Sequence, residues 1–205
     1  MKLTLLIIIS SLLILGAELL KRKFAISVTF TRRAIHVGTA TVAGIAPLFV
    51  TKEQIVIVSI TFAVVLLIAR FYNLFSAIHS VERRTFGEVY LPLGVAITAV
   101  IFLPQDVLAF QFGIFIMGIS DAVSGLIGEK FGRYTLQVLG NTKTLEGSLS
   151  FFVCSLVLTA VFHPVFGYQL LIIPLTLTLV ELVLIYGLDN FVLPIVAALL
   201  FQIFT

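Results

Sequence analysis

The stretch Gly118-Ile-Ser-Asp-Ala-Val-Ser-Gly-Leu-Ile-Gly-Glu-Lys-Phe-Gly132 is the most informative part of this chain, because it places a carboxylate, Asp121, within an apolar segment. From Asp121, offsets of three, four, seven and eleven residues reach Ser124, Gly125, Gly128 and Gly132, which places all five on one stripe of an α-helix. Glycines at this spacing are typical of close packing between membrane helices. A surface that only packs against another helix gains nothing from a buried charge. The presence of Asp121 therefore favours a site where the helix backbone approaches a phosphate and the carboxylate binds Mg²⁺.

The rest of the chain has the composition of a membrane protein. Of its 205 residues, 60% are hydrophobic and 11% are charged, whereas soluble domains carry about 25% charged residues. The net charge of +3 does not indicate nucleic-acid binding, because the basic residues cluster between apolar runs and have no interleaved aromatic face. Cys154 is the single cysteine, which excludes an intramolecular disulfide and a thiolate metal site.

Eight apolar segments approach the length of about 20 residues that a helix needs to cross a bilayer. They predict one integral membrane domain over residues 1–205, an all-α polytopic bundle of about eight transmembrane helices. Seven helices plus a re-entrant segment is the alternative, since little more than Gly187 separates the last two segments. We expect the first segment to be a retained anchor. The predicted segments are 3–20, 34–50, 54–72, 89–104, 107–128, 147–163, 169–186 and 188–204.

The distribution of basic residues predicts the orientation. If the first loop is cytoplasmic, that side holds all of the 13 Lys and Arg residues except Lys2 and Lys52. This bias predicts that both termini lie outside and that the longer polar loops 21–33, 73–88 and 129–146 lie inside. We expect a multi-pass protein of a prokaryotic plasma membrane whose active site faces the cytoplasm. The carboxylates of Glu18, Asp121 and Glu181 then lie near the cytoplasmic edge.

The loop Gly140-Asn-Thr-Lys-Thr-Leu-Glu-Gly-Ser148 is the second candidate site. It is not a P-loop, because Lys143 follows Thr142 and the flanking segments are membrane helices rather than a strand and a helix. A glycine-bounded turn with Lys143, several hydroxyls and Glu146 suits a polyphosphate and its metal ion. The alternative is an ordinary solvated loop in which Thr144 caps the next helix.

Three further polar patches lie at the predicted cytoplasmic edge. Arg33 and His36 are three residues apart and share a helical face, although arginines at this depth are also typical topology anchors. Glu88 opens the fourth segment, where a carboxylate interacts well with the helix dipole. Glu181 is followed by Tyr186-Gly-Leu-Asp-Asn190, which is also the composition of a tight turn.

Taken in order, these motifs resemble those of the polyprenol kinase family, which includes dolichol, phytol and farnesol kinases and CTP-dependent diacylglycerol kinases. The resemblance runs from about Arg32 to Pro194. It implies a multi-helix membrane enzyme that phosphorylates a lipid alcohol from a nucleoside triphosphate, often CTP, with Mg²⁺. The residues that it implies for catalysis are Asp121, Lys143, Glu146, Asp189 and His36. Those that it implies for nucleotide binding are Arg33, Glu88, Ser124, Gly125, Gly128, Lys130, Gly132, Thr144 and Asn190.

The sequence therefore predicts a lipid-alcohol kinase that acts on a prenol-type or diacylglycerol-type hydroxyl. We expect Asp121 and Glu146 to bind Mg²⁺, Lys143 and Arg33 to contact phosphates, and Asp189 or His36 to assist hydroxyl deprotonation. The expected partners are the lipid alcohol, the nucleotide and the membrane, with no nucleic acid; the oligomeric state is left open. The alternatives are a cytidylyltransferase, whose Lys-Asp and His-Gly-Gly motifs do not occur, and a small-solute or ion-coupled transporter.

Overall fold

A computed structural model of the chain describes residues 2–24, 28–72, 86–162 and 167–204. Within these ranges, the side chains at positions 14, 17, 18, 20–22, 24 and 28 are not described. The predicted carboxylate of Glu18 and most of the predicted loop 73–88 thus lie outside the described part of the chain.

Helices form nearly all of the described structure. They are α1 (Lys2–Phe24), α2 (Val28–Ile45), α3 (Lys52–Phe71), α4 (Gly87–Phe102), α5 (Val107–Phe115), α6 (Asp121–Phe131), α7 (Leu145–Phe162), α8 (Gln169–Val183) and α9 (Asp189–Phe204). A π-helical turn, Ile116–Ser120, joins α5 to α6, so that the two form one continuous helix. All eight predicted segments therefore coincide with helices, which confirms the all-α prediction.

Three of the described helices are long and apolar enough to cross a membrane: Lys52–Phe71, Val107–Phe131 and Leu145–Phe162. Helices α4, α8 and α9 are also apolar but shorter, with 16, 15 and 16 residues. Pro92, Pro174 and Pro194 lie inside α4, α8 and α9. Local caps define some helix starts: Thr51 and Gln54 form a capping box at α3, and Asp106 Oδ1 accepts from the amide of Ala109 at 2.8 Å.

The core is centred on α5, whose Phe110, Phe112 and Ile114 have no exposed surface. Helix α9 packs against α4, α5 and α8, while α7 packs against α6 and α8. Two glycines let backbones approach closely at these contacts, because a Cβ at Gly94 would overlap the Asn190 carbonyl and one at Gly113 would overlap the Pro194 carbonyl. Helix α9 is therefore held closely against α4 and α5.

The structure differs from the prediction at both ends of α2 and in the loop 129–146. Helix α2 begins at Val28, six residues before the predicted start at 34, so Arg32 and Arg33 lie within the helix. A count of apolar residues assigns Arg32 and Arg33 to a loop because they are polar. In the structure they belong to α2, and both line a cavity.

The predicted loop 129–146 contains the end of α6, the start of α7 and a β-hairpin. Strands β1 (Thr135–Val138) and β2 (Asn141–Thr144) pair antiparallel, with Leu136 opposite Lys143. Leu139 and Gly140 both have positive φ, 49° and 82°, which matches the two-residue turns that close tight hairpins. The all-helical prediction is therefore incomplete at this one place.

Candidate active site

A single cavity of about 740 Å³ joins the predicted patches within the described residues. Its charged end is lined by α2, α6, β2 and the segment between α8 and α9, and its apolar end mainly by α2, α3 and α4. A cavity of this size is typical of a small-molecule site. The predicted site residues that line it are Arg33, His36, Glu88, Asp121, Ser124, Gly125, Gly128, Lys143, Thr144, Asp189 and Asn190.

Arg33 and His36 both reach from α2 to the backbone of the facing helix. His36 Nε2 donates to the Met117 carbonyl at 3.0 Å. Because a carbonyl oxygen only accepts, the proton of a neutral His36 lies on Nε2 and leaves Nδ1 as an acceptor. Arg33 Nη1 donates to the Ala122 carbonyl at 3.4 Å. The two carbonyls lie within and just after the π-helical turn, where the regular pattern of helix hydrogen bonds changes.

Asp121 is the first residue of α6 and lies beside His36, with 4.0 Å between Asp121 Oδ2 and His36 Nε2. It is close enough to Glu181, Asp189 and Lys143 for their charges to interact. These groups come from α2, α6, β2, α8 and α9. The charged end of the cavity therefore collects acids, a lysine and a histidine from distant parts of the sequence.

The glycine stripe after Asp121, where the sequence predicts that backbone approaches a phosphate, is covered by side chains of the protein. The guanidinium of Arg33 occupies the position that a Cβ of Gly125 would take, and Thr144 Oγ1 would lie 2.7 Å from a Cβ of Gly128. Arg33 Nη2 continues to Glu129 Oε1 at 2.5 Å. The stripe thus brings a cation and a hydroxyl onto the surface of α6 instead of leaving that surface open.

Lys143 enters the cavity from strand β2. Its Nζ forms an ion pair with Glu181 Oε1 and also donates to the Glu181 carbonyl at 2.5 Å. The Glu181 side chain is 5% exposed, and its Oε2 is buried without a hydrogen-bond partner among the described residues. Lys143 is therefore held against Glu181, and the second carboxylate oxygen of Glu181, Oε2, has no hydrogen-bond partner among the described residues.

Glu181 is the site residue to which sequence reasoning assigned no role. The feature of the sequence that points to Glu181 is its position within an apolar helix. An acid at such a position costs free energy unless it is paired or functional. The partner was not evident, since Lys143 is 38 residues away and reaches Glu181 only because the hairpin turns back toward α8.

The composition predicts a turn here, and Asp189 and Asn190 begin α9 directly after that turn. Helix α8 ends at Val183, and Tyr186 and Gly187 have positive φ, 57° and 86°. Asn190 Nδ2 donates to the Gly87 carbonyl at 2.8 Å, and a Cβ at Gly187 would lie 2.7 Å from Gly87 Cα. The start of α4 is therefore held directly against the turn that carries Asp189.

Glu88 lies at the edge of the same cavity and forms an ion pair with Arg70 of α3. The Arg70 guanidinium also lies 4.3 Å from the centre of the Phe86 ring. The sequence assigned Arg70 to topology alone. In the structure, Arg70 and Glu88 connect the end of α3 to the start of α4 beside the charged end of the cavity.

Three predicted site residues, Glu146, Lys130 and Gly132, do not line the cavity. Glu146 Oε1 accepts from the amides of Arg133 at 3.0 Å and Tyr134 at 3.4 Å, so it fixes the backbone between α6 and the hairpin. Lys130 Nζ lies 5.3 Å from the centre of the Phe131 ring. The expectation that Glu146 faces the same site as Asp121 is not met, because its carboxylate caps this backbone. The described residues contain no group of three or more His, Cys, Asp and Glu arranged to hold a metal ion.

The class of protein that these features define is a bundle of apolar helices that encloses a cavity of about 740 Å³ with charged residues at one end and apolar residues at the other. Comparison with known proteins adds a relative. The chain is 26% identical over 196 residues to the phytol kinase of Synechocystis sp., which covers 91% of this chain and 84% of that protein. It is 27% identical over 178 residues to an uncharacterised protein of Methanocaldococcus jannaschii, covering 82% of this chain and 89% of that protein.

No family model and no solved structure matches the chain. The similarity to phytol kinase supports a relationship with the polyprenol and phytol kinase family, which the ordered sequence motifs predict. At the level of reaction class, this relationship supports a lipid-alcohol kinase.

Proposed function

We propose that this protein is a multi-pass membrane kinase that transfers the γ-phosphate of a nucleoside triphosphate, with CTP favoured, to the hydroxyl of a lipid alcohol at the cytoplasmic membrane edge. The observation that carries the proposal is the two-ended cavity. A phosphoryl acceptor with a hydrocarbon chain needs an apolar compartment that opens directly onto charged groups, and the cavity offers both. The Synechocystis relative, which is named a phytol kinase, has an activity of the same class.

Phosphoryl transfer needs positioning and charge stabilisation more than covalent chemistry from the protein. Arg33 lies on the surface of α6, and Lys143 approaches from β2, so the two cations face the charged end from different elements. We propose that they contact the phosphates. His36 fits the role of proton acceptor for the lipid hydroxyl, because its Nε2 is occupied by the Met117 carbonyl and its Nδ1 is free to accept. Asp189 is the other candidate for this role.

The donor groups at the charged end fit a Mg²⁺ ion that is bound together with phosphates. Mg²⁺ is commonly held by one or two carboxylates, substrate phosphate oxygens and water, so a site with three protein ligands is not required. Asp121 lines the cavity, and the unpartnered Oε2 of buried Glu181 lies in the same charged group. When bound, the ion would neutralise charge on the transferring phosphate. We propose Asp121 as its protein ligand, whereas the Glu146 oxygens are engaged by backbone amides.

Isotope labelling tests the proposal. Purified protein is incubated with Mg²⁺, a panel of prenols and diacylglycerol, and CTP labelled at either the α- or the γ-phosphate. Label from the γ-phosphate on the lipid supports a kinase. Label from the α-phosphate would replace this proposal with a cytidylyltransferase, and no label from either position would contradict both.

A Mg²⁺ titration of two variants tests the assignment of the carboxylates. Asp121→Asn should lose about a hundredfold or more in kcat, because it removes a charge at the reacting group. Glu146→Gln should keep the wild-type dependence on Mg²⁺, because this residue lies outside the cavity. Equal loss in both variants, or none in Asp121→Asn, would contradict the assignment.

A further inference from the structure

The ion pair between Lys143 and Glu181 joins two groups that the proposed reaction would use separately. Lys143 Nζ contacts Glu181 Oε1 and also donates to the Glu181 carbonyl, so both acceptors belong to one residue. If Lys143 contacts a phosphate during the reaction, as proposed above, its ammonium group leaves this carboxylate. A buried carboxylate without a cation is strongly destabilising, so another positive charge has to replace the ammonium group.

Glu181 has the properties of a ligand for that replacement cation. The residue is 4% exposed and lines the cavity, and its Oε2 is buried without a hydrogen-bond partner within the described ranges. Mg²⁺ prefers oxygen ligands, and one or two carboxylates commonly suffice when phosphate oxygens complete the site. Asp121, the ligand proposed above, lies close enough to Glu181 for the two charges to interact. The two carboxylates therefore form a candidate pair of metal ligands.

Lys143 serves several acids at this end of the cavity, not Glu181 alone. Its charge is the strongest favourable charge acting on each of three carboxylates, namely those of Asp121, Glu181 and Asp189. Arg32 and Arg33 also act on Asp121, but less strongly than Lys143 does. Movement of Lys143 toward a phosphate therefore leaves these acids short of positive charge, which a divalent cation would supply.

Lys143 can leave Glu181 while its strand stays in place. The residue lies on β2 opposite Leu136 of β1, and its side chain is 15% exposed and lines the cavity. A lysine ammonium group is a point charge on a flexible four-carbon stem, so rotation of side-chain bonds moves it by several Å. The exchange of partners thus needs no rearrangement of the hairpin.

We propose that Lys143 is an exchangeable cation: it neutralises Glu181 until a nucleotide binds, and when it turns to the phosphates, Glu181 joins Asp121 as a second carboxylate ligand of Mg²⁺. This inference rests on the proposed function for the phosphate contact of Lys143. It adds a metal ligand, Glu181, and it makes the second ligand available only when the nucleotide is present. The order of binding follows from the competition of two cations for one carboxylate.

Direct binding of Mn²⁺ tests the competition without nucleotide or lipid. Mn²⁺ suits the same oxygen ligands as Mg²⁺, and the free ion is measured by electron paramagnetic resonance in a solution of the purified protein. Lys143→Met removes the ammonium group and keeps an unbranched side chain. It should bind Mn²⁺ about tenfold or more tightly than the wild type, because a nearby positive charge that repels the ion is gone. Lys52→Met makes the same replacement outside the cavity and should bind as the wild type does.

A double variant shows whether Glu181 is the ligand that is released. Lys143→Met combined with Glu181→Gln should lose the gain in Mn²⁺ affinity, and it leaves neither charge of the pair buried alone. If Lys143→Met does not purify as a folded protein, Lys143→Gln takes its place, because its amide can still donate to Glu181. The same direction of change is expected for Lys143→Gln.

The γ-label assay provides a second measurement. Glu181→Gln should raise the Mg²⁺ concentration needed for half-maximal rate by about tenfold or more, as the loss of a metal ligand does. Glu53→Gln, outside the cavity, should keep the wild-type requirement. An unchanged Mg²⁺ requirement in Glu181→Gln would contradict the assignment of this residue.

Two results of the Mn²⁺ experiment would overturn the inference: equal affinities of the wild type and the Lys143 variant, or a gain that persists after Glu181→Gln is added. Both are measured without substrates, so they do not depend on kinase activity. A wild-type protein that transfers no γ-phosphate to any alcohol would instead contradict the proposed function itself.

Discussion

Replacing Gly125 by alanine should displace Arg33 without unfolding the protein. The new Cβ would occupy the place of the Arg33 guanidinium, whose Nη2 lies 2.7 Å from the ideal Cβ position. The colliding atoms belong to the far end of a flexible side chain, so Arg33 moves while the backbone stays in place. Gly125→Ala therefore changes the position of one cation at the charged end of the cavity.

The stability terms nearly cancel. Alanine in place of glycine inside a helix stabilises by about 1 kcal/mol. The displaced Arg33 loses its contacts with the Ala122 carbonyl and Glu129, and since Glu129 is half-exposed this loss is also about 1 kcal/mol. The midpoint of thermal unfolding in detergent should thus shift by only a few degrees. Gly16→Ala is the matched control, because a Cβ at Gly16 meets nothing within 4 Å and the residue lies outside the cavity.

Activity should fall much more than stability. If Arg33 contacts a phosphate, its displacement should lower kcat/KM for the nucleotide by about tenfold to a hundredfold, which is about 1.4–2.8 kcal/mol. The decisive assay is a double-mutant cycle with Arg33→Ala, measured as γ-label transfer to lipid. Once Arg33 is removed, adding Gly125→Ala should have little further effect. Fully additive losses, or wild-type kcat/KM in Gly125→Ala, would refute the reasoning.

Two further predictions concern the turns and the buried ion pair. Gly187→Ala and Gly140→Ala both place a side chain at a residue with positive φ. Only at Gly187 would the new Cβ collide with backbone, because it would lie 2.7 Å from Gly87 Cα. Gly187→Ala should therefore lower the free energy of unfolding by at least about 1 kcal/mol more than Gly140→Ala. Equal effects in chemical or thermal unfolding would show that the α4 contact is unimportant. Glu181→Gln should destabilise by about 3 kcal/mol, because it leaves Lys143 buried beside a neutral partner, and the double variant Lys143→Met, Glu181→Gln should recover part of this loss. Recovery is checked by thermal unfolding, and a double variant that is less stable than Glu181→Gln would contradict the pairing argument.

The sequence predicted the helical segments well because apolar length is a local property. Lys52–Phe71 and Leu145–Phe162 could be located by counting apolar residues. The start of α2 could not, since Arg32 and Arg33 resemble loop residues until the cavity that they line is known. The hairpin was missed because strands of four residues are too short for a periodic pattern, although Leu139-Gly140 carries a glycine that is typical of such turns.

Within the site, the sequence identified residues with distinctive chemistry better than it predicted which of those residues contact one another. Asp121, Lys143 and Asp189 stand out by their chemistry, and all three line the cavity. Glu146 has the same chemistry, but its orientation depends on the backbone path after α6, which no local pattern reveals. The pair of Lys143 and Glu181 depends in the same way on the hairpin and α8 together.

The π-helical turn at Ile116–Ser120 has a consequence for the whole helix that contains it. One surplus residue rotates everything that follows by about 100° relative to a regular helix. As a result, α5, which precedes the turn, directs its side chains toward the aromatic interior. Helix α6, which follows the turn, directs the Asp121 stripe toward the charged end of the cavity. A deletion of one residue between them would turn the Asp121 stripe away from the cavity. This short segment is therefore intolerant of length changes, and its side chains are constrained as well, because Ile116 and Met117 have no exposed surface and a Cβ at Gly118 would overlap Ala40.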